Sequence, residues 1–452
     1  MKKFFLIIIL IIFSALIIFY RFTNIPKYLA FDEVEFTKLA LSLENKPYIA
    51  YSQLATGHST LYFYILLVSL KTFGINVFAL RLPSAVFGIL SVLMFYLVIK
   101  GLKNYELRIK NYNSLPFLLA VIFLTSRWFL NFSRFSFEAT FLLFLELVSI
   151  YCLVLANAKV TNFLRLGIPR FLRGGFPRRH KNLLPSISSN FYITLSGLFA
   201  GLAFLSYTPG RIFFLLPLTF FVFKLVNSLT RKQFDNKIIK QSLYFLIPLI
   251  IIITPLTTYL MTNKDTRIDQ QFFLRNSEMT VNEKLNGLWY NVSSTALMFF
   301  TKGDMNGRHN YPGKPALNPI LGILFIVGLI ITIKKWRDFS SRLFLLYFIL
   351  SLIPALSTYP WENPNMLRTY TVLPSVVYFI GMAIYHLSSI VQRWSLNKRI
   401  PRYLILDTLY LILIFSSFYE LRTYFKYQST VFNQSFEIKL PLEKAIRFKF
   451  KP

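Results

Sequence analysis

Long apolar runs broken by short polar stretches dominate the chain. Apolar runs of about 17–25 residues suit a hydrocarbon core about 30 Å thick. Eleven are predicted as spans, some short or carrying a polar residue: 4–20, 78–99, 115–130, 137–157, 191–207, 211–227, 242–261, 316–333, 343–357, 370–391 and 403–419. Backbone polar groups find no partner in lipid, so each span is predicted helical, and the alternation of a β-barrel is absent. The segment 59–73, STLYFYILLVSLKTF, is apolar but short and carries Lys71. It is read as juxtamembrane, paired in the first outer loop with the amphipathic stretch that begins at Phe31. The fold expected is an all-α polytopic membrane protein of about 11 transmembrane helices. It divides into a membrane module at 1–261, an outer loop at 262–315, and a C-terminal membrane region with a tail at 316–452. The outer loop should hold structure of its own, because coil of that length is uncommon.

Charge sets the orientation. The formal net charge is +31, with only 19 acidic residues. Such an excess can signal nucleic-acid binding, but here the basic residues cluster between spans, as the positive-inside rule requires. With 59–73 on the surface, the loops 100–110, 159–181, 224–240, 334–342 and 393–402 share the side of the N-terminus. They carry 24 basic residues and three acids, Glu106, Asp235 and Asp338. That side is therefore cytoplasmic, in a plasma (inner) membrane. Regions 21–77, 127–136, 206–211, 262–315 and 358–369 face outward. The tail 420–452 is outer by parity although it holds seven basic residues. The loop 159–181 reads as a solvated topogenic loop, able to rest on anionic headgroups. The first run, preceded by Lys2 and Lys3, is read as a retained anchor, since no small-residue cleavage pattern follows it.

Cysteine and histidine exclude other chemistry. The single Cys152 lies in a span and gives no disulfide framework. Four scattered histidines make no metal motif. No cofactor is firmly implied, no metal ligands are assigned, and a divalent metal stays an open question.

The candidate chemistry lies at the outer membrane surface. Asp32 and Glu33 stand side by side just past the first span, in FDEVEFTKLALSLENKPY. An acidic pair beside a bilayer needs a functional reason in a chain so sparing of carboxylates. Helix N-capping by Asp32 is the bland alternative.

The segments FDEVEFTKLA and GHSTLYFYILLVSLKTFGINVFALRLPSAVFGILSV resemble the first outer loop of bacterial relatives of the protein O-mannosyltransferases, with the lipid A aminoarabinose transferases as more distant kin. All are GT-C membrane glycosyltransferases. SRFSFEATFLLF with the preceding Ser126-Arg127, GLFAGLAFLSYTPGRIFFLLPL, FFTKGDMNGRHNYPGKPALNPILGILFIVGL and NPNMLRTYTVLP continue the resemblance in order. It implies a GT-C-like catalytic module with an outer-facing site. It also implies a polyprenyl-phosphate-linked sugar as donor and a protein, lipid or glycan as acceptor.

On that resemblance Asp32 is the expected general base, with Glu33 and Glu138 as further catalytic carboxylates. A pair with Arg134 is the structural alternative for Glu138, and Glu146 reads as structural. Arg81, Arg211 and Arg368 stand at outer ends of spans and are candidates for the donor phosphate, which a planar guanidinium grips through two oxygens. Snorkelling to the interface is the alternative for Arg81. His58, Arg134, Tyr207, Asp304, Arg308 and His309 are candidate substrate contacts. The last three belong to GDMNGRHNYPGKP, which otherwise reads as a turn-rich loop. A transporter or flippase of lipid-linked sugars is the alternative function, but it favours polar or broken spans at the midplane. A structural scaffold leaves the acids and outer arginines unexplained.

The charge count predicts that an impermeant thiol reagent on intact cells will label cysteines introduced in 262–315 and spare those in 159–181. The reverse pattern would invert the topology.

Overall fold

The computed structural model describes residues 2–105, 114–157, 189–230, 236–397 and 402–448. The basic loop 159–181 and residues 106–110, 231–235 and 398–401 lie outside the described residues. Among those described, helix accounts for nearly all regular structure. The helices are α1 (Lys2–Phe19), α2 (Phe31–Ser42), α3 (Leu61–Phe73), α4 (Val77–Tyr105), α5 (Leu115–Thr125), α6 (Arg127–Ser133), α7 (Ala139–Asn157), α8 (Ser189–Phe204) and α9 (Leu215–Thr230). They continue as α10 (Asn236–Thr262), α11 (Thr266–Gln271), α12 (Val281–Met298), α13 (Pro319–Lys334), α14 (Phe339–Leu356), α15 (Leu373–Asn397), α16 (Arg402–Arg422), α17 (Ser429–Ser435) and α18 (Leu442–Ala445). A π-helical turn, Thr423–Gln428, joins α16 to α17. Between α2 and α3, β1 (Tyr51–Ser52) pairs antiparallel with β2 (His58–Ser59).

Six helices are long and apolar enough to cross a membrane, or seven if the α5–α6 pair is one span. The eleven expected spans also take in α1, α8, α13 and α16. At 1.5 Å per residue, a 16-residue helix such as α8 or α13 reaches about 24 Å, short of the hydrocarbon thickness. The predicted span 115–130 is not continuous. It breaks at Ser126, and α6 leaves α5 at 64°. The second leg carries Arg127 and Asn131, which need protein partners rather than lipid. Arg127 Nη2 donates to the Pro315 carbonyl at 2.7 Å, and Asn131 Nδ2 to the Arg308 carbonyl at 2.9 Å. The juxtamembrane pair in the first outer loop is α2 and α3. The 262–315 region contains α11 and α12, so it is ordered, as loop length required.

The tail lies on the same side as the acid pair. Leu29 and Ile438 exchange backbone hydrogen bonds of 3.1 and 3.0 Å immediately before α2.

Helix packing relies on small residues, which let backbones approach in place of a hydrophobic driving force. A Cβ on Gly197 of α8 would overlap the Phe245 carbonyl oxygen of α10, and one on Gly328 of α13 would overlap that of Phe379 in α15. At Gly322 the nearest atom to such a Cβ is Phe300 Cδ1 at 3.4 Å, an ordinary contact. Gly328→Ala is therefore expected to destabilise by about 1–3 kcal/mol through overpacking. Gly322→Ala should be close to neutral. Thermal unfolding of the two variants in detergent checks the contrast.

Candidate active site

The site begins where the first helix ends. The Ala30 backbone N–H donates to Glu33 Oε2 at 3.2 Å, so Glu33 closes the start of α2, and Asp32 is not its N-cap. Asp32 and Glu33 both sit in the first turn of α2, where the helix dipole favours negative charge. Successive helical residues point about 100° apart, and the environments diverge accordingly. The Asp32 side chain is 40% exposed and lines a cavity, whereas Glu33 is fully buried.

Glu33 is committed to Arg81. Arg81 Nε donates to Oε1 at 2.7 Å and Nη2 to Oε2 at 2.9 Å, while Ser136 N–H adds a bond to Oε1 at 3.2 Å. The remaining donors of Arg81 go to the carbonyls of Pro26 (2.6 Å) and Tyr28 (2.8 Å). Arg81 neither snorkels nor lines the cavity. The guanidinium expected at the donor phosphate is spent inside the protein, because a buried charge must be paired and hydrogen-bonded. Arg134 is corrected in the same way. Its two terminal nitrogens donate to the carbonyls of Ile17, Ile18, Arg21 and Ile25, and its guanidinium lies 5.0 Å from the Phe425 ring centroid. It pairs with the end of α1 rather than with Glu138 or a substrate. Arg211 is bound by Asp265, which also accepts from Tyr51 Oη (2.9 Å) and the Ile268 N–H (3.2 Å). Burial raises the Asp265 carboxyl, but the Arg211 guanidinium and these hydrogen bonds outweigh it and hold the group below its ordinary range.

The cavity itself is about 450 Å³. Asp32 faces Arg308 across it at 2.8 Å. Tyr207 forms part of the wall, with the Arg267 guanidinium 5.2 Å from its ring centroid. Arg267 Nη1 is also 2.7 Å from His58, whose Nδ1 lies 2.7 Å from Glu138 Oε1. Glu138 is buried behind His58, and its Oε2 has no protein partner. Burial and the Arg267 charge, in that order, push the His58 imidazole below its ordinary value against the pull of Glu138. Arg368 lines the cavity in an ion pair with Glu362, and its Nη1 is buried without a partner. Asp304 and His309 line it as well. Asp304 Oδ2 accepts from the Met366 N–H at 2.8 Å and faces His309 Nδ1 at 3.1 Å, so this pair also holds the loop rim in shape. Glu146 is bound to Tyr347 within the helix bundle at 2.7 Å. Among the described residues no cluster of three or more metal-ligating side chains is present.

The structure thus brings together Asp32, His58, Tyr207, Asp304, Arg308, His309 and Arg368. It sets Glu138 just behind them, and it removes Glu33, Arg81, Arg134 and Arg211 to supporting positions. Arg267 and Glu362 were missed. Arg267 lies in the six-residue α11 and Glu362 in a single 3-10 turn, Pro360–Glu362, both too short to carry a hydrophobic period. The available signal was their place just beyond span ends on the outer side.

No family model matches the chain, and no curated protein matches its sequence. Solved structures do match its fold. ArnT from Cupriavidus metallidurans, bound to undecaprenyl phosphate, aligns over 97% of this chain and 77% of its own, with TM-score 0.51 and 11% identity. The archaeal oligosaccharyltransferase AglB from Archaeoglobus fulgidus, in complex with an inhibitory peptide and a dolichol-phosphate, aligns over 97% of this chain with TM-score 0.53 and 14% identity. The chain spans 56% of that enzyme's length. The apo form of the Archaeoglobus fulgidus enzyme gives TM-score 0.54. The chain shares the helical membrane fold of these structures.

The buried imidazole carries a pH signature. Its folded pKa lies below the ordinary value of 6.5, so the unfolded chain takes up the proton more readily. Stabilisation from a neutral His58 is present above pH 6.5 and is lost as pH falls from there toward the lower folded value. The melting temperature should decline below pH 6.5, and the decline should be smaller in His58→Gln.

Proposed function

We propose that this protein is a glycosyltransferase that moves a sugar from a polyprenyl-phosphate-linked donor to an acceptor at the outer face of the plasma membrane, with the N-terminus in the cytoplasm. One observation carries the reading. Asp32, Arg267, Arg308 and Arg368 come from four distant parts of the chain and line one cavity, in a fold shared with proteins solved with undecaprenyl phosphate and dolichol-phosphate.

The chemistry needs two things from the chain. The donor's lipid stays in the bilayer, so its phosphate reaches the site at the interface. As the bond from the anomeric carbon to the phosphate oxygen breaks, the phosphate leaves with the electron pair. Guanidiniums favour that product, because they stay charged and donate in a planar fork. Arg368, with its unpartnered buried Nη1, and Arg267 take this role. The acceptor's hydroxyl or amine forms the new bond to the anomeric carbon and gives its proton to Asp32. Of the carboxylates expected to act in catalysis, Asp32 alone lines the cavity; Glu138 stands behind His58 and orients it. Transfer of a hexose or pentose fits the cavity volume. The flippase reading has less support, since these polar groups gather at one end of the bundle.

Asp32→Asn should leave folding intact and lower turnover by about 10²–10⁴-fold, the usual contribution of a positioned base. Arg368→Lys keeps the charge but not the fork, and should weaken donor use less than Arg368→Ala. The assay is release of undecaprenyl phosphate from synthetic undecaprenyl-phosphate hexoses and pentoses by the purified protein. Wild-type rates in both Asp32→Asn and Arg368→Ala would overturn the assignment.

A further inference from the structure

The segment after α16 packs against the elements that carry the two halves of the Asp32–Arg308 pair. On one side, buried Gln428 donates from Nε2 to Asn131 Oδ1 at 3.0 Å, and buried Asn131 donates to the Arg308 carbonyl at 2.9 Å. α17 then lies against the neighbouring Gly307. A Cβ there would overlap Ser435 Oγ and come within 2.8 Å of Val431 Cγ1. On the other side, Ile438 pairs with Leu29 just before α2. The ring centroid of Phe436 lies 5.8 Å from the Arg81 guanidinium that holds Glu33, and Lys38 Nζ of α2 donates to the Phe448 carbonyl at 2.9 Å.

Magnitudes favour this segment over the ion pair as the source of the site's geometry. With side chains 40% and 24% exposed, Asp32 and Arg308 form a pair of the kind worth about 0–1 kcal/mol. Such a pair cannot by itself fix two loops against each other. A buried polar atom left unpaired costs about 1–3 kcal/mol, so the Gln428–Asn131–Arg308 chain holds its register more firmly. The π-helical turn that delivers Gln428 is a form enriched at functional sites. It also carries Tyr424, whose ring centroid is 5.6 Å from the Arg134 guanidinium.

We propose that residues 423–438 form a strap that sets the separation of Asp32 from Arg308, with Gln428 and Asn131 as positioning residues. The functional half of this inference rests on the reading of Asp32 as the base. The strap contributes no reacting group. It fixes the α2 start and the Arg308 loop from a third element.

The test uses the full chain in lipid nanodiscs. Spin labels at Lys46→Cys and Tyr311→Cys, in a Cys152→Ser background, report the separation of the α2 region from the Arg308 loop. Gln428→Met, which keeps volume and removes the donor, and Gly307→Ala, which displaces α17, should each broaden the distance distribution. Each should lower the release of undecaprenyl phosphate from the synthetic donors by about 10–10²-fold, as misplacement remote from the chemistry does. The loss should fall in kcat more than in KM. In an Arg308→Ala background, Gln428→Met should add no further loss of turnover, whereas a merely stabilising residue would still add its own. Unchanged distributions in both variants overturn the strap, and broadened distributions with wild-type turnover overturn its functional role. If the wild-type protein releases no undecaprenyl phosphate from any donor, the glycosyltransferase reading fails, and the distributions alone judge the strap.

Discussion

A chain leaving a membrane helix exposes its last carbonyls with no helical donor to meet them. In this protein two buried arginines supply the donors, and the half of the molecule that holds the cavity depends on them. Arg134 gathers the carbonyls at the end of α1, and Arg81 gathers those of Pro26 and Tyr28. Each draws in a different helix, so α1, α4 and the α6–α7 junction converge on the short segment that leads to α2. The positive charge of Arg81 is balanced by Glu33, and removing one partner of such a buried pair leaves an uncompensated charge at about 3–5 kcal/mol. The same arrangement sets the roles of the acid pair. Glu33 is consumed as the counter-ion, and Asp32, rotated away from it, is left to the cavity.

The cavity follows a related electrostatic rule. Arg308 faces Asp32, Arg267 faces His58 and Glu138, and Arg368 faces Glu362. Near a low-dielectric bundle these pairs hold each guanidinium in place before any ligand arrives, so its orientation need not be organised on binding. Arg368 keeps one buried nitrogen without a protein partner, the atom to which the proposed donor phosphate is assigned.

Much of this was legible from the chain itself. Apolar run lengths gave the helical bundle, and the modest length of 59–73 marked a helix too short to span, seen as α3. Loop charge predicted that the acids and arginines share one side, and Asp32, Arg308 and Arg368 do line one cavity. Partner choice did not. Arg81, Arg211 and Arg368 look alike in sequence, each at a span end, yet carboxylates and carbonyls from residues far along the chain bind the first two within the protein. The break at Ser126 was equally hidden, because α6 is as apolar as a span apart from Arg127 and Asn131, and only the contacts with Pro315 and Arg308 show why it turns. Arg267 lies in α11, a helix of six residues too short to carry a period, so nothing local distinguished it from a solvated charge.

The pairing of Leu29 with Ile438 joins positions more than four hundred residues apart in a chain whose helices enter the bilayer in order. Leu29 therefore cannot complete this pairing until Ile438, made much later, has been placed on the same side. Until then the Leu29 N–H and carbonyl lack the two hydrogen bonds that Ile438 supplies. The start of α2 is thus completed by a segment that follows α16 in the chain, so the order of synthesis and the order of assembly differ.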